Sequence, residues 1–430
     1  MSGYRTKLRL SAVTVIAASA LVALAAWPAY LSGKAPVAAA EAPAVAVKPD
    51  WRVRDASIAF LESRAGRVRG DMLTPRMLSG EYVQRYRERG DIGDVVRAEQ
   101  AARISLVAQP RGNIAGEAAL AGALLTLHRF REAKAAIARA RTWLPDDPGL
   151  AAEEAALDLE LGDVAGARRI AGASRDDPAF DVVTARLEEE TGGLADARAH
   201  VERAMRRADA IYDTPAERRA WLHARSAELA LEAGDTDAAG RAANEALTIF
   251  PDHLRALTIA ARVALADGDP AAAEAVAKRA VMVQPNPEVL GLLGDAQAAR
   301  GETADAAATR DELLAVARIG DALHVNDRLV ALWEADHGVR VDHAYDIARR
   351  ELGVRDDIYA EDTLAWAAAR SGHWDVARRA IAKALRYGTQ DPAIRRHAEA
   401  IAAHPAGEPG RSARGFTRPV WNEAPCAAAF

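Results

Sequence analysis

The sequence predicts an all-α protein, a linear array of about nine stacked helix–turn–helix units. Three observations carry that prediction. Half of the residues are apolar yet only 5% are aromatic, and alanine supplies much of the apolar share. Such a composition suits closely packed helices better than sheets, where branched and aromatic side chains dominate. Second, helix-breaking glycines recur at a fixed period. In "LEAGDTDAAGRAANEALTIFPD" and "LADGDPAAAEAVAKRAVMVQPN", Gly234 and Gly268 stand thirty-four residues apart, a spacing that signals a repeat architecture. Third, the same offsets follow each glycine: a small residue five positions on (Ala239, Ala273) and a proline seventeen on (Pro251, Pro285).

Along the chain, Arg5, Lys7 and Arg9 precede an uncharged run from Leu10 to Trp27. That order is the pattern of an export signal. As a helix the run would reach about 27 Å, near the hydrocarbon thickness of a bilayer. Residues 1–33 therefore read as a signal peptide or as an N-terminal transmembrane anchor. "VAAAEA", with a small-x-small site ending at Ala40, keeps cleavage open. Either reading leaves the basic residues in the cytoplasm and places the rest outside it, in the periplasm or at the cell exterior. Residues 34–49, with prolines at 36, 43 and 49, read as an Ala/Pro-rich spacer. Residues 50–71 are expected to form a leading helix, 72–403 the repeat array and 404–430 a disordered tail. Cys426 is the single cysteine, so no internal disulfide and no Cys-based metal or redox motif is available.

The array is read from its turns. Gly90, Gly162, Gly192, Gly234, Gly268, Gly301, Gly338 and Gly372 mark unit centres, and in "TLHRFREA" His128 stands at the glycine position. In each unit a first helix stops at the glycine, which takes a left-handed conformation cheaply. An Asp, Glu or Thr after it starts the second helix. Turns such as "FPD", "LPDD" and "QPNP" end that helix. Small residues at the crossing, including Ala227, Ala239, Ala261, Ala273, Gly294 and Ala306, let the helix axes approach. No pair can bury its apolar stripe alone, so neighbours must stack. The stretch "RRADAIYDTPAERRAW" carries the longest insertion and is expected to lengthen a helix or loop.

A small residue in the first helix, the inter-helix Gly-Asp, the small residue after it and the closing Pro together resemble the tetratricopeptide repeat. The likeness runs from about Met72 to Ala403 and is most specific in the two central units, although the family's large aromatics are mostly replaced by Ala and Leu here. "FLES", "HRF.EA" and "DTLAWA...G...A" are also similar to segments of a bacterial group of exported tetratricopeptide proteins, a likeness that implies no activity. The resemblance implies a right-handed superhelix whose first helices line an inner, concave surface. By that rule the expected partner-binding residues are Arg186, Trp221, Glu228, Glu232, Arg255, Arg262, Tyr359, Asp362 and Trp366. Trp366 reads equally as a peptide anchor in the groove and as packing under the helix expected at 391–403. Trp374, just after the last turn, is expected between helices, and His373 in solvent.

Catalysis finds little support. There is no H-E-x-x-H, no phosphate-binding G-x-x-x-x-G-K-[ST] and no G-x-S-x-G elbow. A net charge of -5 is unlike the basic footprint of a nucleic-acid binder. The expectation is a non-catalytic scaffold without cofactor, binding a protein or peptide in its groove, touching a membrane only through an uncleaved N-terminal helix, with self-association through its ends as a further possibility. The alternative is a metal-handling protein using Asp336, His337, Asp342 and His343, residue types that ligate metals but that straddle a turn here.

Overall fold

The computed structural model describes residues 54–173, 177–321 and 326–404. The expected signal or anchor, the spacer and the tail beyond His404 lie outside the described residues. Within them are twenty α-helices, one short 3-10 turn and no strand, and none of these helices is long and apolar enough to cross a membrane.

A leading helix α1 (Arg54–Arg64) is followed by nine hairpins and a closing helix. The first four hairpins are α2 (Leu73–Arg89) with α3 (Ile92–Ala108), α4 (Ile114–Thr126) with α5 (Phe130–Arg141), α6 (Pro148–Glu160) with α7 (Val164–Ala173), and α8 (Asp181–Glu190) with α9 (Leu194–Ala210). The central three are α10 (Ala216–Glu232) with α11 (Thr236–Ile249), α12 (Leu254–Ala266) with α13 (Pro270–Val283), and α14 (Pro287–Ala299) with α15 (Thr303–Asp321). Then come α16 (Asp327–His337) with α17 (Val341–Val354), α18 (Ile358–Arg370) with α19 (Trp374–Ala384), and the closing α20 (Pro392–Ala402). The inserted stretch lengthens the two helices it joins, so that α9 and α10 both run to 17 residues.

Every turn assigned from the sequence is left-handed. The eight marker glycines have φ between 64° and 88°, and His128, the one non-glycine among them, has φ 56°. The aspartates after Gly234 and Gly268 cap the second helices, Asp235 accepting from Ala238 N at 2.9 Å and Asp269 from Ala272 N at 3.0 Å. Ala227, Ala239, Ala261 and Ala273 are completely buried where paired helices cross. At the last unit Trp374 is buried between helices, as expected, while exposed His373 stacks on Tyr345 at 4.2 Å.

The array winds far enough for successive turns of its path to touch. Gln84 in α2 donates to Glu217 in α10 at 3.0 Å. Arg131 donates to the Gly353 carbonyl oxygen at 2.9 Å. Tyr387 of the ninth unit packs into the core formed by α6, α7 and α8. The turn at Gly162 presses on the Asp356 backbone so closely that any Cβ would collide with its carbonyl oxygen. A Cβ on Gly192 would likewise come within 2.6 Å of the Gly388 carbonyl oxygen.

Candidate partner-binding face

Positions three or four apart on a first helix share one face, and side chains there reach the first helices of adjacent units. The result is a polar ladder running from unit to unit. Arg186 of α8 pairs with Glu160 of α6, and its Nε lies 2.9 Å from Glu190. Arg225 of α10 pairs back with Glu189 of α8 and, at 2.9 Å, with Glu228. Glu228 is bridged in turn by Arg255 of α12 at 2.7 Å. Arg262 pairs with Glu288 of α14. Asp295 of α14 faces His337 at 3.2 Å, and Asp336 accepts from Trp366 Nε1 at 2.7 Å. Asp362 closes the series on His397 of α20 at 2.9 Å.

The expected partner-binding residues all lie on first helices, and most are already engaged. Tyr359, Asp362, Trp366, Glu228 and Arg262 are buried. Trp366 is stacked on His397 with ring centroids 4.5 Å apart, so of its two readings the structure takes the packed one under the last helix. Arg186, Trp221, Glu232 and Arg255 are half-buried. Arg218 lies over the Trp221 ring at 4.9 Å. The partners that complete the ladder, notably Glu160, Glu189, Arg225 and Glu288, were not singled out in the sequence. Their signal was there: each sits 26 or 36 residues from an opposite charge on the neighbouring first helix.

The four residues of the metal alternative do not converge. Asp336 is spent on Trp366, His337 on Asp295 and on the Trp333 carbonyl at 2.8 Å, and His343 on buried Glu334 at 2.8 Å. Asp342 is exposed at the start of α17. Among the described residues no group of three or more His, Cys, Asp or Glu side chains is placed to hold a metal ion.

The electrostatics concentrate where successive turns of the array meet. Arg355, which precedes α18, lies 3.0 Å from Glu160 and also pairs with Asp357. Burial pushes the Glu160 carboxyl up, but Arg186 and Arg355 outweigh it and hold it at about 2. Glu190 has the opposite balance: burial carries it to about 7 because Arg186 is shared with Glu160 and Asp357. Burial and the neighbouring Glu189 carboxylate raise Glu232 well above the usual range.

The arrangement is that of an α-solenoid, helical hairpins stacked so that each contacts its neighbours through apolar faces and polar inner rungs. Residues 230–295 match the family model of the tetratricopeptide repeat. Residues 230–295 are tetratricopeptide repeat, and the described residues share that solenoid fold. No curated protein matches its sequence. Among solved structures it is similar to a monomeric mutant of IFIT1 with Gppp-AAAA, with 13% identity, 77% of this chain and 76% of that one covered, and a TM-score of 0.50. It also matches the APC/C hetero-tetramer Cut9-Hcn1 at 12% identity, 83% and 68% coverage and a TM-score of 0.46. A tetratricopeptide repeat protein from Parabacteroides merdae ATCC 43184 matches at 14% identity, 68% and 99% coverage and a TM-score of 0.35. The first of these bears on the fold, and at such identity on the fold alone. A fold of this kind is a scaffold for contacts between proteins.

Proposed function

We propose that the chain is a non-catalytic scaffold that holds a peptide or a partner helix on its concave face, outside the cytoplasm. The observation that carries this reading is the half-buried set at the fifth and sixth units. Trp221 and Arg255 combine an aromatic ring with positive charge, and each keeps part of its surface in solvent. An aromatic ring flanked by charge is the composition that anchors interfaces. The neighbouring rungs are consumed in holding units together and serve as the rigid frame. Export is supported by the basic residues before the apolar run Leu10–Trp27.

The test is photocrosslinking in the native cell, with a benzophenone amino acid at position 221 or at position 282. Met282 is 63% exposed and belongs to a second helix, away from the inner face. Adducts from 221 and none from 282 are expected, and Arg255→Ala should weaken those from 221. Equal adducts from both positions would refute the groove reading. Alkaline phosphatase fused after His404 should be active if the array is exported and silent if it is not.

A further inference from the structure

Charged groups of the inner ladder gather where the third and fourth units meet the ninth. There the arginines are oversubscribed. Arg186 serves Glu160, Glu190 and Asp357; Arg355 serves Glu160 and Asp357; Arg225 serves Glu189 and Glu228. Two carboxyls are left short. Glu190 is completely buried, with one oxygen on Arg186 and Oε2 bonded to nothing. Glu232 also has an orphaned Oε2, and burial together with the neighbouring Glu189 carboxyl raises it well above the usual range. A buried polar atom left unbonded is costly, and an uncompensated buried charge more so.

The groups around this junction come from both sides. From units three to five they are Glu160 of α6, Arg186 and Glu189 of α8, and Arg225 and Glu228 of α10, with Arg255 behind Glu228 and His128 behind Glu160. From the far side come Arg355 and Asp357 ahead of α18, Tyr359 and Asp362 within it, Arg328 of α16 and the α20 cap Asp391, with His397 behind Asp362. Buried Tyr359 comes in from the far side with the Asp391 carboxyl, and the Arg328 guanidinium lies over the Tyr359 ring at 5.3 Å.

We propose that this junction is a proton-controlled clasp: it closes with Glu190 and Glu232 protonated, and parts when both ionise, opening the concave face to a partner. The inference rests on the groove reading above and adds its regulation. Two turn-on-turn contacts, Gly162 against Asp356 and Gly192 against Gly388, lie at the same junction. The sign follows from linkage. Both carboxyls titrate above their ordinary range when closed and return to it in water, so the closed form binds more protons across that window. Lowering pH favours closure. Raising pH through about 7, the closed value for Glu190, favours opening.

The test uses the full chain with Cys426→Ser and a donor–acceptor dye pair on Arg169→Cys and Arg379→Cys, exposed positions in the third and ninth units. Energy transfer is read from about pH 5 to about pH 9, alongside helix content. The expected result is a loss of transfer as pH rises, at constant helicity, abolished in the E190Q/E232Q double variant, which stays closed throughout. Transfer that is flat with pH in the parent chain overturns the clasp, as does an equal loss in the double variant. Loss of helicity in step with transfer also overturns it, because that is unfolding. None of these readings involves a partner, so failure here leaves the scaffold reading to be judged by its own crosslinking.

Discussion

At the scale of the residue, the turn positions look alike in sequence and differ sharply in consequence. Gly234 and Gly162 share a positive φ, but nothing lies within 4 Å of the Cβ direction at Gly234, whereas the Asp356 backbone fills it at Gly162. Gly234→Ala should therefore cost only the left-handed penalty, about 1–2 kcal/mol. Gly162→Ala should cost clearly more, because a main-chain segment of the ninth unit must move as well. Chemical denaturation of the two variants side by side checks this, and equal losses would deny the contact between turns. His128 shows the converse. It adopts φ 56° without glycine's freedom and lies stacked on Phe130 at 5.5 Å, a ring contact that partly offsets the strain.

At the scale of the element, the hairpin is governed by alanine. Ala239 and Ala273 allow each second helix to lie close on its partner and are completely buried. Ala273→Leu should overpack that crossing and cost about 1–3 kcal/mol. Thermal melts of this variant against Ala275→Leu, an exposed site on the same helix, isolate packing from helix propensity. This level was fully legible in sequence. Gly, Asp, Ala and Pro at fixed offsets each answer to a local rule of helix termination, capping or close approach, and local rules survive into the fold. The inner face was legible only in part. Periodicity placed Arg186, Arg262, Tyr359 and Trp366 on it, but whether such side chains stay in solvent depends on what the next unit brings opposite them. Glu288 faces Arg262 and His397 faces Trp366, and both are thereby withdrawn into packing.

At the scale of the whole molecule, contact between successive turns changes how a perturbation spreads. In an open solenoid each unit feels only its neighbours. Here Arg186 ties the fourth unit to the third through Glu160 and to the ninth through Asp357, which lies 3.7 Å away. Arg186→Ala leaves partly buried carboxylates without their cation and should cost about 3–5 kcal/mol. Its effect should also jump: amide exchange is expected to quicken at the start of α18 as well as around α8. Lys134→Ala is the control, because Lys134 pairs with Asp158 of the adjacent unit, and its effect should stay within the second and third units. Exchange confined to α8 in the Arg186 variant would mean that the two turns are energetically independent.

The sequence by itself determined the unit, the number of repetitions and the residues that make each bend, because these follow from a few positions acting over one helical hairpin. It also placed the charged positions of the first helices on shared helix faces. Only the tertiary structure decided that these faces are laced together rung by rung and that the ninth unit returns against the third and fourth. The physical reason is accumulation: a small rotation per hairpin, invisible in any one of them, sums over several units to bring residues such as Glu160 and Arg355 within 3.0 Å of each other.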